Sequence, residues 1–378
     1  MKIIKGATVY TMNHDNEIIE NCDISIVDGI ITNIGKNLSN ADAEEVINAE
    51  GLIITPGLMD VHTHVGLWSD GNETSHPYTP LMNAIDAINP HDYSFEDARS
   101  GGVTTVQTGA GSANPIGGVW SIVKTFGNTV EDMIIRERSG LKGATGENAK
   151  NRYGQVAGKD PFTRMSIAKW IRKGFKKAEE VMGKGGHDIA TLYKEGNEDV
   201  IPFIEVLEGK MPLRIHAHRS DDIVTAIRIA QEFNIDLSIE HCTEGYKVLS
   251  HLKDSGYPVT LGPTMGQPGK YETRETNLEN PRILSEAGIL LAINTDHPVT
   301  PIEYLSVCAA DAVRHGLDEM EALRAITINP AIIGGVDERI GSIEVGKDAD
   351  FAIWSHHPFK TEARVCYTII DGQIVYKQ

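Results

Sequence analysis

Cysteine is scarce in this chain. Cys22, Cys242, Cys308 and Cys366 are the four in 378 residues, and they are scattered with no Cys-x-x-Cys pair. That spacing excludes a cysteine-held structural metal site, and so large a chain does not need a disulfide framework. Long apolar runs are also missing. Nothing approaches the roughly 18 apolar residues of a membrane span. The start, Met1-Lys-Ile-Ile-Lys-Gly6, is strand-like and has no apolar stretch of the signal-peptide kind. Positive charge is in deficit, with 35 Lys and Arg against 53 Asp and Glu and a net charge of −18. Bulk nucleic-acid binding needs clustered cations and is not expected. No internal repeat, low-complexity segment or helix-opening phosphate motif is present. A soluble cytoplasmic protein without membrane or nucleic-acid partners is the expectation. It would take a small-molecule substrate and form a homo-oligomer.

The chain does contain material for a large core, being 40% hydrophobic and 23% charged. Its two ends share one style. Ile3-Ile4, Thr8–Thr11, Ile24–Val27 and Ile30–Ile34 are short strand-like runs, as are Asp350–Trp354, Val365–Ile370 and Gln373–Tyr376. Asp28-Gly29 and Asp371-Gly372 are hairpin signals between such runs. Neither end suffices for a covered sheet, so residues 1–55 and 341–378 are expected to build one composite β-sandwich.

Residues 56–340 show a different pattern. Eight continuous apolar runs alternate with helical periods: Leu58–His64, Val103–Thr108, Trp120–Phe126, Leu141–Thr145, Leu213–His218, Leu237–His241, Val259–Gly262 and Ile289–Thr295. Continuous hydrophobicity suits buried parallel strands. Ile223, Ala226, Ile227, Ala230 and Phe233 mark one helical stripe, and Ile167, Trp170, Ile171 and Ala178 mark another. An α/β fold with a closed (β/α)8 TIM barrel follows. The stretch exceeds the roughly 250 residues usual for that fold. Polar residues 146–200 would hold the excess.

In such a barrel the C-terminal strand ends converge on one mouth. The first strand ends in His62-Thr-His64, the fifth in His216-Ala-His218, the sixth in Glu240-His241 and the eighth in Asp296-His297. Residues i and i+2 of a strand share a face, so His62 and His64 point the same way. Imidazoles and carboxylates gathered at four strand ends suit a divalent ion. A bound ion of that kind makes hydroxide available at neutral pH.

These residues resemble the amidohydrolase superfamily over essentially the whole length. The resemblance is carried by Thr55-Pro-Gly-Leu-Met-Asp-Val-His-Thr-His64, His216-Ala-His218, Glu240-His241, Thr295-Asp-His-Pro298, Thr327-Ile-Asn-Pro-Ala331 and the Ile340–Asp350 stretch. The nearest flavour is the imidazolonepropionase-related branch, which includes metal-dependent dipeptidases. The resemblance implies a hydrolase that cleaves an amide, peptide or cyclic amide bond with metal-activated hydroxide. One or two ions are implied, zinc first and manganese or iron as alternatives. His62 and His64 would hold the more buried ion, and His216 and His241 would bind a second or complete a single-metal site. Asp296 would be both ligand and general base. Glu147, just past the fourth strand, is the preferred bridging ligand, with Lys142 and Lys124 as alternatives. His218, His297 and Arg219 fall to the substrate side, and Arg152 is a further carboxylate anchor. His76 and Tyr78, and the Gly-rich loops 109–118 and 262–269, would shape the pocket. Deaminase-like relatives place a glutamate three residues after the strand-five histidine, where Arg219 stands here. The acidic residue that imidazolonepropionase would show after His-Ala is His218. An imidazolonepropionase, a deaminase and a metal-free assembly protein are the competing readings.

Overall fold

The computed structural model describes residues 1–185, 188–266 and 269–378. The first of its two sheets is made from both ends of the chain. It contains β1 (Lys2–Tyr10), β2 (Ile18–Val27), β3 (Ile30–Gly35), β4 (Glu45–Asn48) and β5 (Ile53–Pro56). The barrel strands β6 to β13 intervene in the chain before β14 (Phe351–Trp354), β15 (Val365–Ile370) and β16 (Gln373–Lys377) complete it. Its order is β16-β15-β14-β5-β1-β2-β3, with β4 joined in parallel to the first half of β1. Both dipeptide turns form as expected. Asp28 and Gly29 have φ of 50° and 80°, and Asp371 and Gly372 have 49° and 68°. Two successive positive φ values are what a two-residue hairpin turn requires.

The second sheet holds β6 (Leu58–Thr63), β7 (Val103–Thr108), β8 (Ile116–Lys124), β9 (Ile134–Ala144), β10 (Leu213–Ala217), β11 (Leu237–His241), β12 (Val259–Leu261) and β13 (Leu291–Ile293). They lie side by side in chain order. All eight expected runs are therefore strands, but one runs the wrong way. β8 is antiparallel to both β7 and β9, while the other adjacent pairs are parallel. Only residues 109–115 separate β7 from β8, and only the short helix Val130–Met133 lies before β9. A parallel return needs a crossover of a dozen or more residues, so this chain can only double back.

No strand ladder joins β13 to β6 among the described residues. Instead His64 N–H donates to His297 O at 3.0 Å and Thr295 N–H donates to the Asp60 carboxylate at 2.8 Å. The helix Ile328–Gly334 supports this seam through Ala331 and Ile333, which cluster with Met59, Val61 and Ala292.

The helices follow the expected stripes. Ile223, Ala226, Ile227, Ala230 and Phe233 are all buried in the helix Ser220–Phe233. The surplus length does lie between β9 and β10, as the helices Arg164–Gly183, Ile189–Glu195 and Ile201–Leu207 with shorter turns before them. Arg172, off the second stripe, donates from Nε to Glu232 at 2.6 Å. No helix among the described residues is long and apolar enough to cross a membrane.

Lys124 closes β8 and ties the two sheets together. Its buried ammonium lies 2.7 Å from Asp348, 3.1 Å from Asp350 and 2.5 Å from Asp371. This removes Lys124 from the candidate bridging ligands. Burial raises the Asp350 carboxyl to about 6, against the pull of Lys124. Removing one partner of a buried ion cluster leaves the rest uncompensated. Lys124→Met should lower the unfolding free energy by about 3–5 kcal/mol in a denaturant titration. A loss below about 1 kcal/mol would show that the clamp carries no stability.

Candidate active site and metal centre

Strand alternation brings the first donors inward. Asp60, His62 and His64 share one face of β6 and its extension, and Arg214, His216 and His218 share one face of β10. Glu240 and His241 are neighbours on β11, so regular pleating would send them to opposite faces. The backbone resolves this. His241 and Cys242 adopt φ of 70° and 43°, in the left-handed region, and Asp296 does the same at 51° just past β13. Non-glycine residues rarely sit there, and each such position costs about 1–3 kcal/mol. At these strand ends the chain turns a donor toward the cavity.

The imidazoles form a continuous cluster. His62 and His241 have ring centroids 4.6 Å apart, His216 and His241 4.5 Å, and His216 and His218 4.6 Å. Three of them have a fixed tautomer. His62 Nδ1–H donates to Glu240 at 2.7 Å, His64 Nδ1–H to Gly109 O at 2.7 Å and His241 Nδ1–H to Gly262 O at 2.7 Å. Carbonyls and carboxylates only accept, so the proton sits on Nδ1 and each Nε2 is left with a lone pair. His218 Nδ1 is likewise engaged by Thr243 Oγ1 at 2.7 Å. His216 is buried with neither ring nitrogen bonded. Burial, helped by mutual repulsion with His241 and Lys142 among others, pushes His62, His216 and His218 well below the usual histidine range. His241 is pushed down to about 4, mainly by burial. All four rings are neutral donors at neutral pH.

Asp296 supplies the carboxylate. Its Oδ1 lies 3.6 Å from His62 Nε2 and 3.4 Å from His64 Nε2. Burial acts to raise its pKa, but the polar surroundings supplied by the neighbouring imidazoles outweigh that, and the carboxyl lies below the usual carboxylate range. Two triads have ligand atoms within 4.8 Å of one another: His62, His241 and Asp296, and His216, His218 and His241. Neutral imidazoles, one carboxylate and an unbonded buried ring fit a divalent ion of the zinc, manganese or iron type.

Three expected site residues are elsewhere. Glu147 does not line the cavity; its N–H donates to Glu272 at 2.7 Å and its carboxylate accepts from Glu272 N–H at 3.3 Å. It starts a helix whose first turn is held down by Glu272. Arg219 forms a forked pair with Asp221 at 2.9 and 3.0 Å and is also outside the cavity lining. His297 is buried behind the site, where its Nδ1 accepts from Ile302 N–H at 3.2 Å. Arg152 binds Thr74, and His76 and Tyr78 pack on Trp170; none of the three lines the cavity. His218 does line it. Of the two Gly-rich loops, Gly111 and Ser112 contribute from one and Gly262 to Gly266 from the other. Gln267 and Pro268 of the second loop lie outside the described residues.

Sequence reasoning named Glu240 only within a strand end and Lys142 only as an alternative, and it gave no role to Trp120, Lys270 or Glu272. Glu240 holds His62 and is itself held by Arg214 at 3.0 Å and Ser238 at 2.8 Å. Lys142 is fully buried, its Nζ without a hydrogen-bond partner and 4.6 Å from the Trp120 ring centroid. Burial pulls its pKa down to about 8, against the attraction of Glu240 and Asp296. Trp120, on the reversed strand, also faces His62 with centroids 4.7 Å apart. Its ring fits only because residue 109 is glycine, where a Cβ would come within 1.9 Å of Trp120 Cδ1. Lys270 and Glu272 come from an aperiodic stretch after β12. Glu272 Oε1 lies 3.6 Å from His216 Nε2.

The cavity over this cluster holds about 430 Å³. That is the size of a small-molecule site.

Comparison with known proteins identifies a family. The sequence model of the amidohydrolase family matches residues 53–375. The amidohydrolase tasK of Hapsidospora irregularis is 26% identical over 388 aligned residues, which span 93% of this chain but 39% of that protein. An imidazolonepropionase from Maricaulis maris is 26% identical over 92% of this chain and 90% of its own. The crystal structure of an amidohydrolase from Thermotoga maritima MSB8 superposes with a TM-score of 0.94, at 40% identity and full coverage of both chains. A histidine-lined barrel mouth and a family match across most of the length lead to one assignment: the chain belongs to the amidohydrolase family and is a hydrolytic enzyme acting on carbon–nitrogen bonds.

Proposed function

We propose that the protein hydrolyses an amide, peptide or cyclic amide bond in a small molecule, at a site made by His62, His64, His216, His241 and Asp296. The carrying observation is the fixed set of Nδ1 hydrogen bonds, which leaves Nε2 lone pairs beside one carboxylate. One or two divalent ions fit there, zinc first, with manganese or iron as alternatives. A bound ion polarises the carbonyl and lowers the pKa of water from about 15.7 toward about 7.

The chain's own groups do the rest. Asp296 stays anionic across the neutral range. It accepts a proton from the attacking water as the new carbon–oxygen bond forms. It then delivers that proton to the leaving nitrogen as the carbon–nitrogen bond breaks, giving an acid and an amine. Glu240 keeps the His62 proton on Nδ1 throughout. His218 and the loop residues position substrate. The same reading places the catalytic barrel at residues 56–340 and a composite β-sandwich at 1–55 and 341–378. An imidazolonepropionase activity is the second reading, favoured by the Maricaulis maris relative.

Lys142, buried beside Trp120, would take the bridging role first given to Glu147, whose carboxylate is engaged by Glu272 N–H. An unpartnered buried amine with a pKa near 8 is largely nucleophilic in mildly alkaline solution. Addition to carbon dioxide forms an N–C bond and releases one proton, leaving a carbamate anion able to serve two ions.

Two outcomes are expected. Asp296→Asn should keep its melting behaviour and lose about 10²–10⁴-fold in turnover, measured as amine release from a panel of dipeptides, N-acyl amino acids and cyclic amides. Turnover near that of the unmodified enzyme would remove Asp296 from the base role. Where the protein binds two equivalents of metal, Lys142→Gln should lower them to one by elemental analysis. It should also abolish a carbamate carbon signal after labelling with ¹³C-bicarbonate. An unlabelled wild-type protein would refute the bridge.

A further inference from the structure

We propose that Lys270 anchors a carboxylate of the substrate, which narrows the substrate class to amides bearing a free carboxylate close to the scissile bond, such as N-acyl amino acids and dipeptides. The proposal rests on the hydrolase reading above and adds the recognition group to it.

Among the described residues lining the cavity, Lys270 is the one lysine or arginine and Asp296 the one carboxylate. Arg219 and Arg152, the candidate carboxylate anchors of the sequence, are turned to other partners. Lys270 is also held in place. Its Nζ donates to Asn148 Oδ1 at 3.0 Å and to Glu272 Oε1 at 3.2 Å, and lies 3.4 Å from His218 Nε2. Glu272 is fully buried and does not line the cavity, so it braces the ammonium from behind. Its other oxygen is already engaged by Glu147 N–H at 2.7 Å and faces Arg164 at 3.9 Å. The Lys270 side chain keeps 35% exposure. Its long contact to His218 is the weakest of the three and the one a carboxylate oxygen would replace.

The position suits an α-amino acid. The His218 ring stacks 4.7 Å from His241, which belongs to both ligand triads. In an N-acyl amino acid three bonds separate the scissile carbonyl carbon from the carboxylate carbon, a span of about 4 Å. A carbonyl beside His241 therefore brings the carboxylate toward His218, whose Nε2 lies 3.4 Å from Lys270 Nζ. Leu261, Pro263, Met265, Pro281 and Val299 give part of the wall an apolar character for a side chain. Electrostatics point the same way. The chain carries a net charge of −18, so an anionic substrate needs a local cation to enter. A charge-assisted hydrogen bond from Lys270 provides it.

The test uses the full-length, metal-loaded protein and matched probes. N-methylphosphonyl leucine carries a tetrahedral mimic of the attacked carbonyl and a free carboxylate; its carboxamide differs only in lacking that charge. Wild type should bind the carboxylate more tightly. Lys270→Met should weaken carboxylate binding about 10–100-fold in calorimetry and leave the carboxamide unchanged, while Lys270→Arg retains part of the preference. Equal weakening of both probes, or no preference in wild type, would overturn the anchor. Should Lys270→Met fail to fold, Asn148→Asp replaces it: a carboxylate against Nζ should selectively weaken the carboxylate probe, and an unchanged ratio overturns the proposal. Amine release from N-acetyl amino acids is scored separately. Intact carboxylate preference without any amine release would sink the hydrolase reading and leave the anchor supported.

Discussion

The buried carboxylate of Asp60 holds the whole site together. It accepts His62 N–H at 3.0 Å, Thr295 N–H at 2.8 Å and Thr295 Oγ1–H at 2.7 Å. These bonds join β6 to the chain beyond β13, where no ladder does so among the described residues. They set the distance between the histidines of the first strand and Asp296 after the last. Complete burial pushes the Asp60 carboxyl up to about 7, and the three donors are what oppose that rise. Each bond lost would leave a buried donor unsatisfied, at about 1–3 kcal/mol. Barrel closure and ligand placement are thus one constraint.

A second layer lies beneath the first. Arg214 and Lys142 are direct register partners on β10 and β9, and Arg214 pairs with Glu240, which holds His62. Gly140 leaves the space that the Arg214 chain fills, since a Cβ there would come within 2.5 Å of Arg214 Cδ. A buried ion pair adds little net stability compared with apolar packing. Its contribution here is orientation: an anionic Glu240 can only accept, so the His62 proton stays on Nδ1 and the lone pair on Nε2 faces Asp296. Orphaned atoms in this layer, at Lys142 Nζ, Arg214 Nε and Arg214 Nη1, show that polar groups are kept unsaturated under the cavity.

Much of this was legible before any coordinates. Eight apolar runs became eight strands, and both Asp-Gly turns formed, because hydrophobic period and turn chemistry are local properties. The direction of β8 was legible too, in the short connections on either side, but the barrel expectation overrode the loop lengths. Glu147 was favoured over Lys142 because the ligand was sought beyond the strand end. β9 in fact starts at Ile134, and its inward face near the mouth is Lys142, beside Arg214. Glu240 was read only as part of the Glu240-His241 strand end; strand alternation would not let both face inward, and the left-handed turn at His241 permits it. Lys270 and Glu272 carry no periodic signal at all. Tertiary folding alone brings them to His216 and His218.

That left-handed turn shows why site and fold cannot be separated here. Unfavourable φ values at His241, Cys242 and Asp296 fall at the ends of β11 and β13, where ladder hydrogen bonds stop. Inside a strand the same torsions would break pairing on both sides. At its end they cost only local strain, about 1–3 kcal/mol each, against a core of buried aliphatic residues that surrounds the barrel. His241 then occupies the one place within reach of both triads, with its Nδ1 fixed by Gly262 O. A residue in ordinary extended conformation would put its ring outside the barrel, and both triads would lose the donor they share. The strain is therefore a condition of having Glu240 below and His241 above on consecutive residues, with the orienting carboxylate and the donor supplied by a single strand end.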